Sequence, residues 1–534
     1  MYEYSRPDAG GRSTVYGVEG AVACEHPQAA RAGIQVLDAG GTAADACVAM
    51  AAVMAVVAPM ATGMGGDAFL LYYEAETGAV WGMDGSGRSP GEATIEKLRD
   101  LGHDSVPERG GAAVTVPGAV RLWEDAAADF GVLSLGELLE PAHRLAAGGY
   151  PVSEVVARHW KAAEDLLGRN AAATATFLPA GRAPKPGELF RQPDLAGTLA
   201  AVAEDGADAF YNGEVSGRMA AAARKAGGLL DEEDLARHEA SLRVEPISTD
   251  YRGVRVHEMP PPGQGIAALQ MLNVLEGFEL SALPAASAER IHLEAEAKKL
   301  AYADLHTKVG DPDFVEVPTE TLLSREYAAG LRAQVSPSRA GKPPASGRLG
   351  DDTTYLCAVD RWGNGCSFIN SLYMGFGSGV VADGTGVCLQ NRGHSFRLTE
   401  GHPNALAPGK RPLHTIIPGL ATLDGGLWAT FGVMGGPMQP QGHAQLLASL
   451  IDYGMNPQQA VDHPRHFHTD DGRLLVEGRV SAEELEKLRE MGHEVQRGAD
   501  YEVPVGGAQL IRIEDGGVRA CGSDPRKDGC ALAQ

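Results

Sequence analysis

Two adjacent threonines, Thr353 and Thr354, stand where a stretch rich in proline, glycine and serine, residues 336–352, gives way to an apolar run. A threonine hydroxyl is a weak nucleophile unless a base lies within hydrogen-bond reach. One solution is the α-amino group of the same residue, released when the peptide bond before it breaks. An α-amine titrating near about 7.7–8.0 suits that task at neutral pH. The junction Asp351-Asp352-Thr353 therefore reads as a self-cleavage site that exposes Thr353 as its nucleophile. Taken alone, the same junction also fits a loop that simply ends where a strand begins.

The flanking elements must position that hydroxyl. Residues 336–352 offer little to anchor them in a core and are expected to be exposed and mobile. Residues 354–359 and 366–372 are strand formers around the turn 360–365, so Thr353 opens a hairpin whose second strand carries Ser371 near its end. Upstream, the spacing predicts a helix over 28–39, stopped by Gly40-Gly41, and a second over 43–58, capped by Thr42 with Asp45 three positions on. The second is apolar nearly all round but too short for a membrane span of about 20 residues, so it is expected in the core. Strands at 68–73 and 80–84 form a hairpin, and the loop 85–92 after it holds Arg88. Residues 120–239 read as alanine-rich helices broken at Pro141, Pro151, Pro184 and Pro186. A strand over 250–259, a rigid loop over 260–265, helices over 266–275 and 287–305, and strands over 380–389 and 427–433 complete the pattern. Sheet halves on both sides of the processing loop, with helices for both faces, predict an α/β fold of αββα layers. It forms one domain from segments 1–352 and 353–534.

Composition narrows the partners. A formal charge of −24 over 534 residues disfavours nucleic acid and anionic membranes, so an anionic substrate would have to be met by local arginines. Seven cysteines, odd in number and without metal-ligand spacing, read as reduced and mostly buried. The N-terminal residues lack a basic region followed by an apolar run, so a cytoplasmic location is expected. The glycine-rich stretch Thr62-Gly-Met-Gly-Gly-Asp67 precedes a strand and has no Gly-Lys-Ser/Thr, which argues against phosphate binding. His463, His466 and His468 with Asp470 and Asp471 fit no ligand spacing, so a structural role is expected, with no metal and no cofactor.

Many short stretches occur in an order that carries more weight than any one of them: His26-Pro27, Ala39-Gly-Gly-Thr-Ala-Ala-Asp-Ala46, Thr62-Gly-Met-Gly-Gly-Asp67, Val116-Pro-Gly-Ala119, Met259-Pro-Pro-Pro262, Thr353-Thr354, Phe376-Gly-Ser-Gly379, Lys410-Arg-Pro412, Gly435-Gly436 and Ser523-Asp-Pro-Arg-Lys-Asp-Gly529. From residue 20 to its end the chain thereby resembles the γ-glutamyltransferase family of N-terminal-nucleophile hydrolases, whose precursors cut themselves before a Thr-Thr pair into large and small subunits. The resemblance implies Thr353 as nucleophile, Ser371 in place of a family threonine that hydrogen-bonds it, and Gly435-Gly436 as oxyanion donors. It also implies a heterodimer of the two segments, possible further dimerisation, and a small-molecule amide as substrate.

The amino-acid clamp departs from the family. Where relatives hold the substrate carboxylate with an arginine, this chain has Ser86, with Arg88 nearby. Where they hold the amine with Gln and Asp, it has Arg392 and Ser395. Tyr373 replaces an asparagine and His414-Thr415 a serine pair, and the loop between Phe396 and Lys410 is shorter than a lid. The pattern is similar to a divergent branch that includes cephalosporin-type acylases and oxamate amidohydrolases. The expected activity is amide hydrolysis or acyl transfer through an ester on Thr353, with γ-glutamyl, acylase or oxamate-type specificity left open. A non-catalytic binding relative and a metal-dependent amidohydrolase are the competing classes.

Overall fold

The computed structural model describes residues 12–342 and 352–534. The N-terminal residues read for a leader and residues 343–351 of the expected processing loop lie outside the described residues.

The chain builds two seven-stranded sheets packed face to face. The first runs Cys530–Ala533, Ala21–Cys24, Asp352–Val359, Gly365–Tyr373, Asp67–Glu74, Ala79–Gly85, Leu242–Val244. The second runs Val15–Gly17, Arg519–Ser523, Gly507–Ile513, Gly426–Met434, Gly419–Leu423, Val254–Glu258, Ile247–Tyr251. Both sheets combine strands from before and after the Asp352–Thr353 bond.

Side-chain alternation assigns the layers. On Asp352–Val359, Tyr355, Cys357 and Val359 enter the core between the sheets, with Phe69, Ile369, Leu420 and Ile511. Leu356 and Ala358 point the other way, into the core shared with the helices Pro27–Asp38, Ala43–Val57 and Ala119–Phe130. The second sheet is covered by Gly265–Leu275 and Gln439–Ile451, with Ala288–Lys308 packed on Gly265–Leu275 behind it, giving the αββα order. A strand buried on both faces shows no polar alternation, which is why 354–359 reads as a continuous apolar run.

Ala43–Val57 is buried along its whole length, and its N-terminus is closed by the expected capping box, Thr42 with Asp45. Four readings change. Residues 250–259 are two strands, Ile247–Tyr251 and Val254–Glu258, because Arg252 and Gly253 turn the chain at φ 53° and 87°. Residues 380–389 keep only a bridge between Val381 and Cys388, since Gly384 and Gly386 at φ 68° and 70° curl the chain. Pro141 sits inside the helix Leu135–Gly148, which continues through it without that one N–H donor. Ser336 and Gly341, in the stretch expected to be mobile, are exposed but tied. His292 Nε2 lies 2.7 Å from the Ser336 carbonyl, and Gly341 N–H donates to Glu296 Oε2 at 3.0 Å.

Candidate active site

Thr353 leads the hairpin that the sequence predicts, and the elements around it fix its hydroxyl. Gly365 to Tyr373 pairs antiparallel with Asp352 to Val359. Across the hairpin, Ser371 Oγ accepts a hydrogen bond from Thr353 Oγ1 at 3.1 Å and another from the Tyr373 N–H at 2.8 Å. Thr353, Thr354 and Ser371 are all buried. Glu25, just past the strand Ala21–Cys24, accepts from the Tyr355 N–H at 3.0 Å and pins the strand near Thr353.

The glycine-rich stretch before Asp67 supports this pair through its backbone. A Cβ on Gly66 would lie 2.3 Å from the Ser371 carbonyl oxygen, and one on Gly65 would lie 2.1 Å from that of Cys388. The glycines are there for close backbone approach, and they deliver Asp67 opposite Ser371 in the neighbouring strand.

Gly435-Gly436 comes to the same end of the sandwich. Leu427 packs on Gly365 and Tyr355 packs on Gly432, so the strand Gly426–Met434 runs toward the Thr353 end as its numbers rise. Gly435 and Gly436 then leave it at φ 125° and 54°, conformations that favour glycine. Gln264 Nε2 donates to the carbonyls of Gly436 (2.8 Å) and Thr415, and His414 exchanges backbone bonds with Pro262 and Gln264. The rigid 260–265 loop thus fastens the His414-Thr415 segment to the glycine pair.

Arg392 turns inward. Its side chain is fully buried, with the guanidinium 4.4 Å from the centre of the Tyr373 ring and Nη1 donating to Thr415 Oγ1 at 2.8 Å. Nε lies 3.7 Å from Asp67 Oδ2, too long for a hydrogen bond, and neither Nε nor Nη2 has a hydrogen-bond partner among the described residues. His414 Nε2 lies 3.6 Å from the same Asp67 oxygen, and both its ring nitrogens also lack such a partner. Ser395, on the turn Arg392–Ser395, is buried with its hydroxyl in the same condition. Tyr373 holds its place at φ 81°, a strained value for a bulky residue.

Charge in this cluster is set mainly by burial. Desolvation raises the Asp67 carboxyl to about 7, against the opposing pull of Arg392 and hydrogen bonds from Gln390 and the Gly87 N–H. Burial, with the Arg392 and Arg411 charges, drives His414 well below the usual imidazole range and keeps it neutral. Asp67, Gln390 and Gln264 belong to this cluster by their contacts, and sequence reasoning did not single them out. An acid closing a glycine-rich loop and opening the apolar strand Asp67–Glu74 was the available signal.

Arg88 makes its contacts elsewhere. Its half-exposed side chain donates to Asp313 and to the Gly409 carbonyl, each at 2.9 Å. It lines a cavity of about 450 Å³ with Ser86, Asp84, His238 and Arg411. In the 463–471 stretch, His463 Nε2 lies 2.9 Å from the Ala285 carbonyl, and burial lowers His466 to about 3.

Two antiparallel sheets between helical layers, with a threonine hydroxyl on a second hydroxyl at the head of an interior strand, define a hydrolase of the N-terminal-nucleophile type. A family profile described as gamma-glutamyltranspeptidase matches residues 29–534. The chain belongs to that family. It is 38% identical to the glutathione hydrolase-like YwrD proenzyme of Bacillus subtilis (97% of this chain, 99% of that one). It is 35% identical to the oxamate amidohydrolase proenzyme of Klebsiella pneumoniae (96% and 98%). The cephalosporin acylase of Bacillus halodurans superimposes with a TM-score of 0.93 at 42% identity, covering 100% of this chain and 99% of that structure. Among the described residues no helix is long and apolar enough to cross a membrane.

Proposed function

We propose that this protein cuts its own chain between Asp352 and Thr353 and then hydrolyses or transfers the acyl group of small amides, preferring acyl groups that carry a carboxylate. In processing, Thr353 Oγ1 attacks the Asp352 carbonyl carbon, the peptide shifts to an ester, and water releases segment 1–352 from segment 353–534. In turnover, the freed α-amine takes the Thr353 hydroxyl proton while Ser371 steadies the oxygen. The acyl group forms an ester on Oγ1, the leaving amine takes the proton, and water or a second amine resolves the ester. Gly435 and Gly436 N–H groups are the candidate donors to the oxyanion. The proenzyme names of the relatives support the first step, and the hydrolase, amidohydrolase and acylase names support the second.

One observation carries the acyl preference: Arg392, buried between Tyr373, Thr415 and Asp67, keeps Nε and Nη2 without hydrogen-bond partners. A guanidinium with two such donors suits a carboxylate and repels an ammonium. A second reading, a γ-glutamyl amide, draws on Asp67 Oδ2, an acid in the same cluster that also lacks a hydrogen-bond partner. A panel of chromogenic glutaryl, oxamate-like and γ-glutamyl amides separates them. We expect the anionic, amine-free acyl groups to be turned over best. Arg392→Ala should cost them about 2 kcal/mol, or about 30-fold in kcat/KM, with Arg392→Lys intermediate. Preference for γ-glutamyl amides, unchanged by Arg392→Ala, would return the site to the second reading.

A further inference from the structure

The helix Ala288–Lys308 buries a run of ionisable side chains far in sequence from the cluster around Thr353. Arg290 pairs with Glu294 at 3.0 Å, and Lys298 with Asp470 at 3.2 Å. His292, Glu296 and His493 form a different kind of group: their candidate ligand atoms all lie within 4.8 Å of one another, and all three residues are buried. His292 and Glu296 stand one helical turn apart on one face. His493 arrives from the turn after Ala482–Glu490, and its Nε2 lies 2.8 Å from His292 Nδ1.

The tautomers follow from the neighbours. The Ser336 carbonyl, 2.7 Å from His292 Nε2, can only accept, so Nε2 carries the proton and Nδ1 presents a bare lone pair toward His493. A backbone carbonyl on the far nitrogen is also the contact that fixes metal-ligating histidines. Glu296 Oε1 accepts from Lys299 Nζ at 2.6 Å and Oε2 from the Gly341 N–H at 3.0 Å, which leaves each oxygen a second lone pair.

We propose that His292 Nδ1, His493 Nε2 and a Glu296 carboxylate oxygen bind a divalent transition-metal ion of the zinc type. Two imidazoles and one carboxylate suit zinc, cobalt or nickel rather than magnesium or calcium. Nitrogens at about 2.0–2.1 Å from zinc stand roughly 3.3 Å apart in a tetrahedral site, so the observed pair needs to open by about half an ångström. The ion displaces the proton that His493 Nε2 shares with His292, and His493 takes up the tautomer that carries its proton on Nδ1. Bound there, it would join the helix, the 336–341 stretch held through Ser336 and Gly341, and His493. Lys299 opposes it by charge repulsion.

The full-length protein, stripped with chelator and dialysed, is titrated with cobalt(II) followed by visible absorption and with zinc followed by calorimetry and thermal melting. One equivalent should bind, with a rise in Tm. His493→Asn keeps a donor for His292 Nδ1 and should preserve the fold, yet lower affinity at least tenfold and remove the Tm rise. Glu296→Gln should weaken binding, and Lys299→Met should strengthen it. Equal isotherms for parent and His493→Asn, or binding abolished instead by His468→Ala, would overturn the site. These readouts do not depend on Thr353 chemistry, so the function proposed above stands or falls separately.

Discussion

Thr353 is the residue on which the most depends. Thr353→Ala should give a single uncut band on a denaturing gel and no turnover, whereas Thr353→Ser keeps a hydroxyl and should retain part of both. A new N-terminus other than Thr353 on the small fragment would move the nucleophile elsewhere. Asp67 carries a separate, titratable consequence. Its folded pKa of about 7 lies above the ordinary carboxyl value near about 3.9. Below that ordinary value both states hold the proton and the stabilisation is complete. As pH rises toward 7 the unfolded chain releases its proton first, so stability falls, by about 4 kcal/mol from this group alone. Urea midpoints from pH 4.5 to 7.5 should therefore drop less steeply in Asp67→Asn than in the parent. Parallel slopes would show that Asp67 is ionised throughout.

Among the elements, the glycine-rich turn and the hairpin act as one unit. Gly66→Ala would set a Cβ 2.3 Å from the Ser371 carbonyl oxygen, so one of the two strands must shift. A loss of about 1–3 kcal/mol in stability is expected. Because Ser371 is the acceptor for Thr353, a fall in kcat should accompany it even well below the melting temperature. Full activity at unchanged stability would mean the turn yields without moving Ser371. The hairpin was legible in the sequence because its strands are adjacent and its turn, Asp360 to Gly365, is conspicuous. Arg392, Ser395 and His414-Thr415 were legible as departures from a pattern, but their orientation was not. Asp67 was not singled out, because its partners Gln390 and Arg392 lie more than 300 residues away and only the sheet brings them together. Residues 380–389 misled in the opposite direction: their valines form strands readily, but Gly384 and Gly386 curl the chain before a ladder can form.

At the scale of the molecule, segments before and after the junction are interleaved. Ala21–Cys24 lies between Cys530–Ala533 and Asp352–Val359, and Gly365–Tyr373 lies against Asp67–Glu74. After scission the fragments should therefore sediment as one species and separate only in denaturant. Dissociation in native buffer on dilution would contradict that packing.

The same interleaving changes the kinetics of folding once the chain is cut. The intact precursor assembles its sheets in a unimolecular reaction, with every loop closure internal to one chain. The cut protein, once denatured, must find its partner by diffusion, so its recovery becomes second order and slows with dilution, while off-pathway association of exposed strands competes. Processing thereby makes the mature molecule depend on the height of its unfolding barrier rather than on an equilibrium it can revisit.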